Sequence, residues 1–409
     1  MPCFTAMKFL FVHQNFPGQY LHLARHLAAN PAHQVVCLTQ RHDADLPGVK
    51  KFVYRPARQP QKGTHHYLRD AELGVLNAQA VARVALDLRS SGFTPDVMLG
   101  HNGWGEIWYL KDVFPRSPLI GYFEFFYQAE GADVGFAPGE ELIFDTLPRI
   151  RTKNFGNLLG LEAADWGQCP TWWQKSTYPS RYHGKLQTVH EGINTDLVRP
   201  DTRARVRLPS LELSPSDEVI TYVARNLEPY RGFPSFMRSL PRVLDARPGA
   251  RVLIVGGDDV SYGTRLQNGQ TYQQQLLDEL GDSLDLSRVH FLGKVPYSMF
   301  LTILQISSVH VYLTYPFVLS WSMLEAMSAG CLVIGSRTAP VQEVIRDGEN
   351  GWLVDMFNPE EISLKIIEAL AEPQDVIQLR KNARQTIVDR YDLNRVCLPA
   401  QMEFLQGVV

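Results

Sequence analysis

A chain of 409 residues with 45% hydrophobic and 20% charged side chains has the make-up of an ordinary globular protein. It is long enough for two or three domains and unlike a disordered, collagen-like or coiled-coil chain. Its 40 Lys and Arg against 43 Asp and Glu leave a formal charge of −3, so nucleic acid has no global electrostatic claim on it. The five cysteines (Cys3, Cys37, Cys169, Cys331, Cys397) are widely spaced and form no CxxC pair, which argues against a disulfide framework or a zinc ribbon and fits a reducing cytosol. No apolar run approaches the ~18 residues of a spanning helix, and the opening residues lack the charged, apolar and small-residue order of a signal segment, so export is not expected.

The first element is the apolar run 8–14, which breaks at Asn15-Phe-Pro-Gly18 and passes into a helical pattern over 20–28. That is a strand, a tight loop and a helix, the opening of a doubly wound α/β domain. Further strand-like runs follow at 34–39, 52–54, 96–100 and 119–126, with helical periodicity clearest over 71–88. Parallel strands covered on both faces read as continuous apolar runs of this kind. Aromatics are dense from Trp166 to Tyr182, with Lys175, Arg181 and Lys185 among them; core packing, a carbohydrate face and a lipid headgroup layer all suit that mixture. The polar, proline-containing stretch 195–217 reads as a linker.

Beyond it the same grammar returns, with strands expected at 219–224, 251–255, 289–292, 309–313, 331–334 and 352–354 and helices at 233–244 and 323–327. From 374 to 406 the pattern is helical, and no strand follows. Its apolar Ile377, Leu379, Ile387, Leu393, Val396 and Leu398 need a partner surface, which the first domain is expected to supply. In open parallel sheets ligands bind beyond the carboxyl ends of the strands, so the chemistry belongs in strand-to-helix loops, in a cleft between two such domains.

The most informative loop is YPFVLSWSMLEAMSAG at 315–330. A helix starting there would turn unpaired N–H groups around Leu319, Ser320, Trp321, Ser322 and Met323 toward an anion. Glu325, one turn on, could accept hydrogen bonds from two vicinal hydroxyls; a solvated glutamate on an amphipathic helix is the structural alternative. MLEAMSAG (323–330) with CLVI (331–334) resembles the signature of the family 4 glycosyltransferases, retaining enzymes of the GT-B fold. YVARNLEPYRG (222–232) resembles that family's Arg-to-Lys-Gly segment, FLGKV (291–295) its base-contacting strand, and HEGINTD (190–196) its interdomain turn.

The resemblance implies an α/β GT-B architecture of two Rossmann-like doubly wound domains facing across a cleft. The acceptor domain would span 1–200, the nucleotide-sugar donor domain 201–385, and a C-terminal helix over 386–409 would return to the first domain. It further implies donor contacts at Gly18, Arg225, Arg231, Lys294, Val295, Phe317, Leu319, Ser320, Trp321, Ser322 and Glu325. Gly18 sits where the family has its Gly-rich loop. Three positions depart from the pattern. Phe317 stands where the first glutamate of a Glu-x7-Glu pair is assigned to donor-sugar hydroxyls, Ser320 stands in place of a glycine, and Arg231 in place of a lysine, with the charge kept on a planar fork.

Arg225 and Arg231 could neutralise a departing diphosphate without a metal, against the bland reading of two surface arginines. His101 and Glu124, at the ends of two successive strand runs, are the catalytic candidates on the acceptor side, Glu124 where many relatives carry a histidine. A carboxylate among aromatics is expensive to bury unless paired, so a structural ion pair with His101 is the alternative. No metal-ligand spacing occurs among the histidines.

The implied activity is transfer of a sugar from a nucleotide diphosphate sugar to a hydroxyl of a glycan, glycolipid or similar acceptor, with retention and with neither metal nor cofactor. The leaving phosphate itself would assist the incoming hydroxyl, in the cytoplasm or peripherally at the inner membrane face. The alternative is a non-catalytic nucleotide-sugar-binding or scaffold member of the same fold.

Overall fold

A computed structural model describes residues 6–43, 45–209, 211–371 and 374–409. The chain divides into two compact units. The first takes the described residues up to Gly135 together with Glu140–Gly192 and Leu393–Val409, and the second takes Phe136–Gly139 and Ile193–Asp392.

The first unit is built on seven parallel strands: β1 (Lys8–Val12), β2 (Gln34–Thr39), β3 (Val49–Val53), β4 (Val97–His101), β5 (Leu119–Tyr122), β6 (Trp166–Cys169) and β7 (Leu186–Thr188). Their order is β3-β2-β1-β4-β5-β6-β7. Strand β1 shows why the run is continuously apolar. Leu10 and Val12 pack in one core with Met98 and Ile107, whereas Phe9 and Phe11 pack in another with Leu23 and Leu27. Alternate side chains thus enter opposite layers, and neither face of the strand meets water.

The second unit carries an antiparallel hairpin, β8 (Val206–Leu208) with β9 (Leu211–Leu213), and a six-stranded parallel sheet. That sheet comprises β10 (Val219–Asn226), β11 (Arg251–Gly257), β12 (Val289–Gly293), β13 (Val309–Tyr312), β14 (Leu332–Ser336) and β15 (Trp352–Val354), in the order β12-β11-β10-β13-β14-β15. Strand order therefore reverses between β1 and β4 in one unit and between β10 and β13 in the other, which marks the crevice where doubly wound sheets hold ligands.

Several expectations are corrected. The stretch 195–217 is not a bare linker, because it contains the β8–β9 hairpin, whose Val206 and Leu213 are buried against Val219 and Leu253. The apolar run 119–126 ends as a strand at Tyr122. The helix Gln374–Arg390 belongs to the second unit, so the residues returning to the first begin at Leu393 rather than 386. Leu379 and Ile387 are buried in second-unit cores and Ile377 is exposed, while Leu393, Leu398 and Leu405 are buried with Met7, Phe9 and Leu23 of the first unit. Gly192 makes that return possible. Its φ is +91°, and a Cβ there would lie 2.7 Å from the Cα of Leu393, a contact only glycine tolerates.

In the aromatic stretch, Tyr178 is core, whereas Trp172 is exposed on the short helix Trp172–Ser176. Cys37, Cys169 and Cys331 are buried free thiols, Cys397 is buried, and Cys3 lies outside the described residues. Among the described residues no helix is long and apolar enough to cross a membrane.

Candidate functional site

In the second unit the carboxyl ends of β10, β11 and β12 enclose a cavity of about 420 Å³ lined by Ala224, Arg225, Val255, Gly256, Lys294, Val295, Tyr297 and Phe300. Two cations therefore meet one largely apolar pocket, a composition suited to a phosphorylated ligand with a flat aromatic part. Tyr297, on the cavity wall, donates from Oη to Glu325 Oε1 at 2.6 Å. Burial pushes the Glu325 carboxyl up to about 7, and the Tyr297 hydrogen bond opposes that shift. Near neutral pH Glu325 is poised between donor and acceptor, so a diol arriving beside it would favour the ionised form.

Arg231 stands in the loop after β10, as expected, and does not line this cavity. It is buried, and Nη1 donates to Thr314 Oγ1 at 2.6 Å, to Tyr312 Oη at 3.2 Å and to the Val318 carbonyl at 3.2 Å. The cavity thus pairs Arg225 with Lys294, while Arg231 organises the loop that leads from β13 into the helix Trp321–Ala329. At that helix start the N–H groups are in part already used. Ser320 N–H donates to Tyr312 Oη at 2.8 Å, Ser322 N–H to Ser320 Oγ at 3.3 Å, and Met323 N–H to the Ser320 carbonyl at 3.3 Å. The expected row of open donors around 319–323 is corrected accordingly, and the cause is local. A serine N-cap serves the first turn as its side-chain oxygen is built to do.

Leu319 is buried in the apolar core with Met323 and Leu324, so its side chain faces protein rather than ligand. Phe317 is buried against Tyr230, with ring centroids 5.3 Å apart, and against Tyr262, at 5.2 Å. Trp321 is 40% exposed.

In the first unit the carboxyl ends of β1, β4 and β5 assemble a second cluster. His101 is buried between the rings of Trp104 (4.4 Å) and Tyr122 (5.1 Å), and His13 lies at 5.2 Å. Gly103 N–H donates to His101 Nδ1 at 3.0 Å, which leaves the neutral ring's proton on Nε2. Burial and neighbouring His13 both hold the His101 pKa well below its ordinary value. Its Nε2 lies 3.8 Å from Glu124 Oε2 and has no hydrogen-bond partner among the described residues. The two are therefore a neutral donor near a carboxylate, not an ion pair. Glu124 escapes the expected burial cost because Tyr122, Phe123 and Phe125 turn inward while its own side chain keeps 35% exposure.

Gly18 belongs to this cluster: its φ is +46°, and a Cβ would strike the His13 ring at 2.7 Å. Asn15 N–H donates to His13 Nδ1 at 2.9 Å and Gln19 Oε1 lies 2.8 Å from Nε2, while burial holds the His13 pKa near 4. Behind it Glu106 is fully buried, accepts from Tyr54, and is pushed up to about 8 by desolvation.

Tyr297, Gly256 and Phe300 in the second unit, and His13, Trp104 and Glu106 in the first, escaped the sequence reading. His13 directly follows strand β1 and could have been singled out there; Tyr297 and Phe300 carry no signal apart from following FLGKV. Among the described residues no three His, Cys, Asp or Glu side chains gather as a metal set would.

Two doubly wound units, each with polar groups beyond the carboxyl ends of its parallel strands, define an α/β protein of the GT-B class. The model of the glycosyl transferase family 4 group matches residues 31–198, and that of glycosyl transferases group 1 matches residues 208–386. The chain belongs to the family 4 glycosyltransferases.

Curated relatives include D-inositol 3-phosphate glycosyltransferases of Rhodococcus jostii, 26% identical over 49% of this chain and 42% of theirs, and of Streptomyces scabiei, 31% identical over 43% and 38%. The chain thus matches about two fifths of those relatives' length. Similar solved structures are HepE of Anabaena with UDP and glucose (TM-score 0.67, 16% identity, 98% of this chain and 100% of that one) and sucrose-phosphate synthase of Thermosynechococcus elongatus (TM-score 0.72, 16% identity, 98% and 99%).

Proposed function

We propose that this protein transfers a glycosyl group from a nucleoside diphosphate sugar to an acceptor hydroxyl with retention of anomeric configuration and without a metal. The observation that carries the reading is the cavity of the second unit. Arg225 and Lys294 supply charge for a diphosphate, and Glu325, bridged to the wall through Tyr297, supplies an acceptor for ribose hydroxyls. Structures similar in fold were solved with UDP and with UDP-glucose, which supports a nucleotide sugar as the ligand class. The protein's part is then orientation and neutralisation of the leaving group, whose own oxygen assists the incoming hydroxyl.

On the first unit His101 Nε2–H and Glu124 would orient the acceptor. The names of the curated relatives point to a phosphorylated cyclitol. Here two histidines held neutral beside a carboxylate favour an uncharged polyol, such as a glycan or glycolipid hydroxyl.

The buried, apolar setting of Phe317 favours a second reading, a nucleotide-sugar-binding member without turnover. Turnover of UDP-, GDP- and dTDP-sugars with mixed hydroxyl acceptors in excess EDTA decides the matter. Transfer in EDTA is the expected result; binding without transfer selects the second reading, and activity restored only by magnesium or manganese refutes the metal-free clamp.

A further inference from the structure

One side chain ties the loop after β11 to the loop after β10. Glu228 is fully buried, and its carboxylate accepts from three successive backbone N–H groups: Ser261 at 2.9 Å, Tyr262 at 3.2 Å and Gly263 at 2.7 Å. Asn226 Nδ2 reinforces the junction by donating to Ser261 Oγ at 2.8 Å. A carboxylate removed from water persists only with such charge-assisted donors, and each amide it binds fixes the turn at 261–263.

The turn delivers Tyr262, itself 40% exposed, to a defined place. Its ring centroid lies 5.3 Å from the Arg231 guanidinium carbon, 5.2 Å from Phe317 and 5.5 Å from Tyr230. Tyr230 in turn stacks on Tyr315 at 4.8 Å. Arg231 therefore stands beside a wall of rings drawn from three separate loops.

We propose that Tyr262 is a specificity-determining residue and Glu228 its positioning residue. Together with Phe317 and Tyr230, Tyr262 forms a platform that selects donor glycosyl groups presenting a C–H or methyl face, as deoxy sugars do. This rests on the transferase reading above: Tyr230 and Tyr262 stand in the loops that leave β10 and β11, whose ends at Arg225 and Gly256 line the cavity assigned to the diphosphate, so the sugar bonded to that diphosphate would lie beside these rings. A hydroxyl pressed against Phe317 and Tyr262 surrenders its bond to water without replacement. A methyl in the same place gains apolar contact, and ring faces stack on the C–H faces of sugars through the same contacts they make with one another.

The test compares donor pairs that differ by one hydroxyl, UDP-glucose with UDP-6-deoxyglucose and GDP-mannose with GDP-rhamnose, in the wild type, Tyr262→Ala, Tyr262→Phe and Glu228→Gln. Affinities for UDP, GDP and dTDP alone are measured alongside. The wild type should prefer the deoxy member of a pair by about tenfold in kcat/KM, the discrimination expected of one well-placed group. Tyr262→Ala should abolish that preference and raise the donor KM by a similar factor while nucleoside diphosphate affinity stays within about twofold. Tyr262→Phe should restore both.

Glu228→Gln should behave as Tyr262→Ala does, since an amide cannot accept at both oxygens. Should that variant fail to fold, the Tyr262 pair, altering a half-exposed side chain, still decides. A wild type indifferent to the hydroxyl, or a Tyr262→Ala enzyme that keeps preference and KM, overturns the proposal and leaves the transferase reading standing. A wild type that binds none of UDP, GDP and dTDP overturns that reading, and the platform with it.

Discussion

Glu325 carries a prediction in its protonation. Its carboxyl is lifted from the ordinary 4.5 to about 7, so the folded protein holds the proton more tightly than the unfolded chain does. The stabilisation this confers is complete below about pH 4.5 and is lost as pH rises through about 7. Glu325→Gln, which never ionises, should therefore melt higher than the wild type at pH 8 and close to it at pH 5. Ligand affinity should run the other way. Ribose hydroxyls need the ionised form, so UDP affinity in the wild type should rise several-fold between pH 6 and pH 8, and Glu325→Gln should flatten that rise. Calorimetric titration across the range checks the sign against the ligand's own phosphate ionisation, which both proteins share.

On the other unit, Glu124→Gln should lower turnover at least tenfold with nucleotide affinity unchanged. Equal loss of stability and activity would show that the carboxylate serves the fold instead. The residue types at both sites were legible in the sequence: Arg225, His101 and Glu124 stand at the ends of strand-like runs, and Glu325 lies within MLEAMSAG. What could not be read was their state: Glu325 is lifted by burial, and His101 is held neutral by burial and neighbouring His13, with Gly103 N–H at Nδ1 fixing its proton on Nε2.

Among the elements, the helix Trp321–Ala329 has the sharpest consequence. Ser320 is its N-cap, with Oγ accepting from Ser322 N–H, and Ser320→Ala should cost about 1 kcal/mol of stability, seen as a lower denaturant midpoint with an unchanged slope. The same change would free an amide at the helix start, so any gain in phosphate affinity would reveal competition between cap and ligand.

Most strands were visible beforehand because both their faces are buried. Those that were not, β6 and β7, are short and carry Gln and Gly, as in WGQC and LQT, and they hold their places, β6 between β5 and β7 and β7 at the edge, by pairing with neighbours rather than by intrinsic preference. The hairpin β8–β9 hid for the same reason: three-residue strands within a charged, proline-bearing stretch leave no period to detect.

At the scale of the whole molecule, the division of the chain is uneven. The second unit is continuous over Ile193–Asp392 and borrows only Phe136–Gly139, whereas the first is closed by its last segment, Leu393–Val409. Leu393, Leu398 and Leu405 bury roughly 1.5–3 kcal/mol of apolar stabilisation each, together comparable to the net stability of a typical domain. A protein ending at Asp392 should therefore keep a cooperative second unit and lose the first, which limited proteolysis resolves as survival of the 193–392 portion alone.

The same feature sets an order of events at the ribosome. Although translated first, the first unit must wait through two hundred further residues for its closing helix, its apolar edge at Met7, Phe9 and Leu23 open meanwhile. The unit translated second can complete itself earlier, and it is the older part of the sequence that depends on a chaperone or on speed of synthesis to stay out of aggregates.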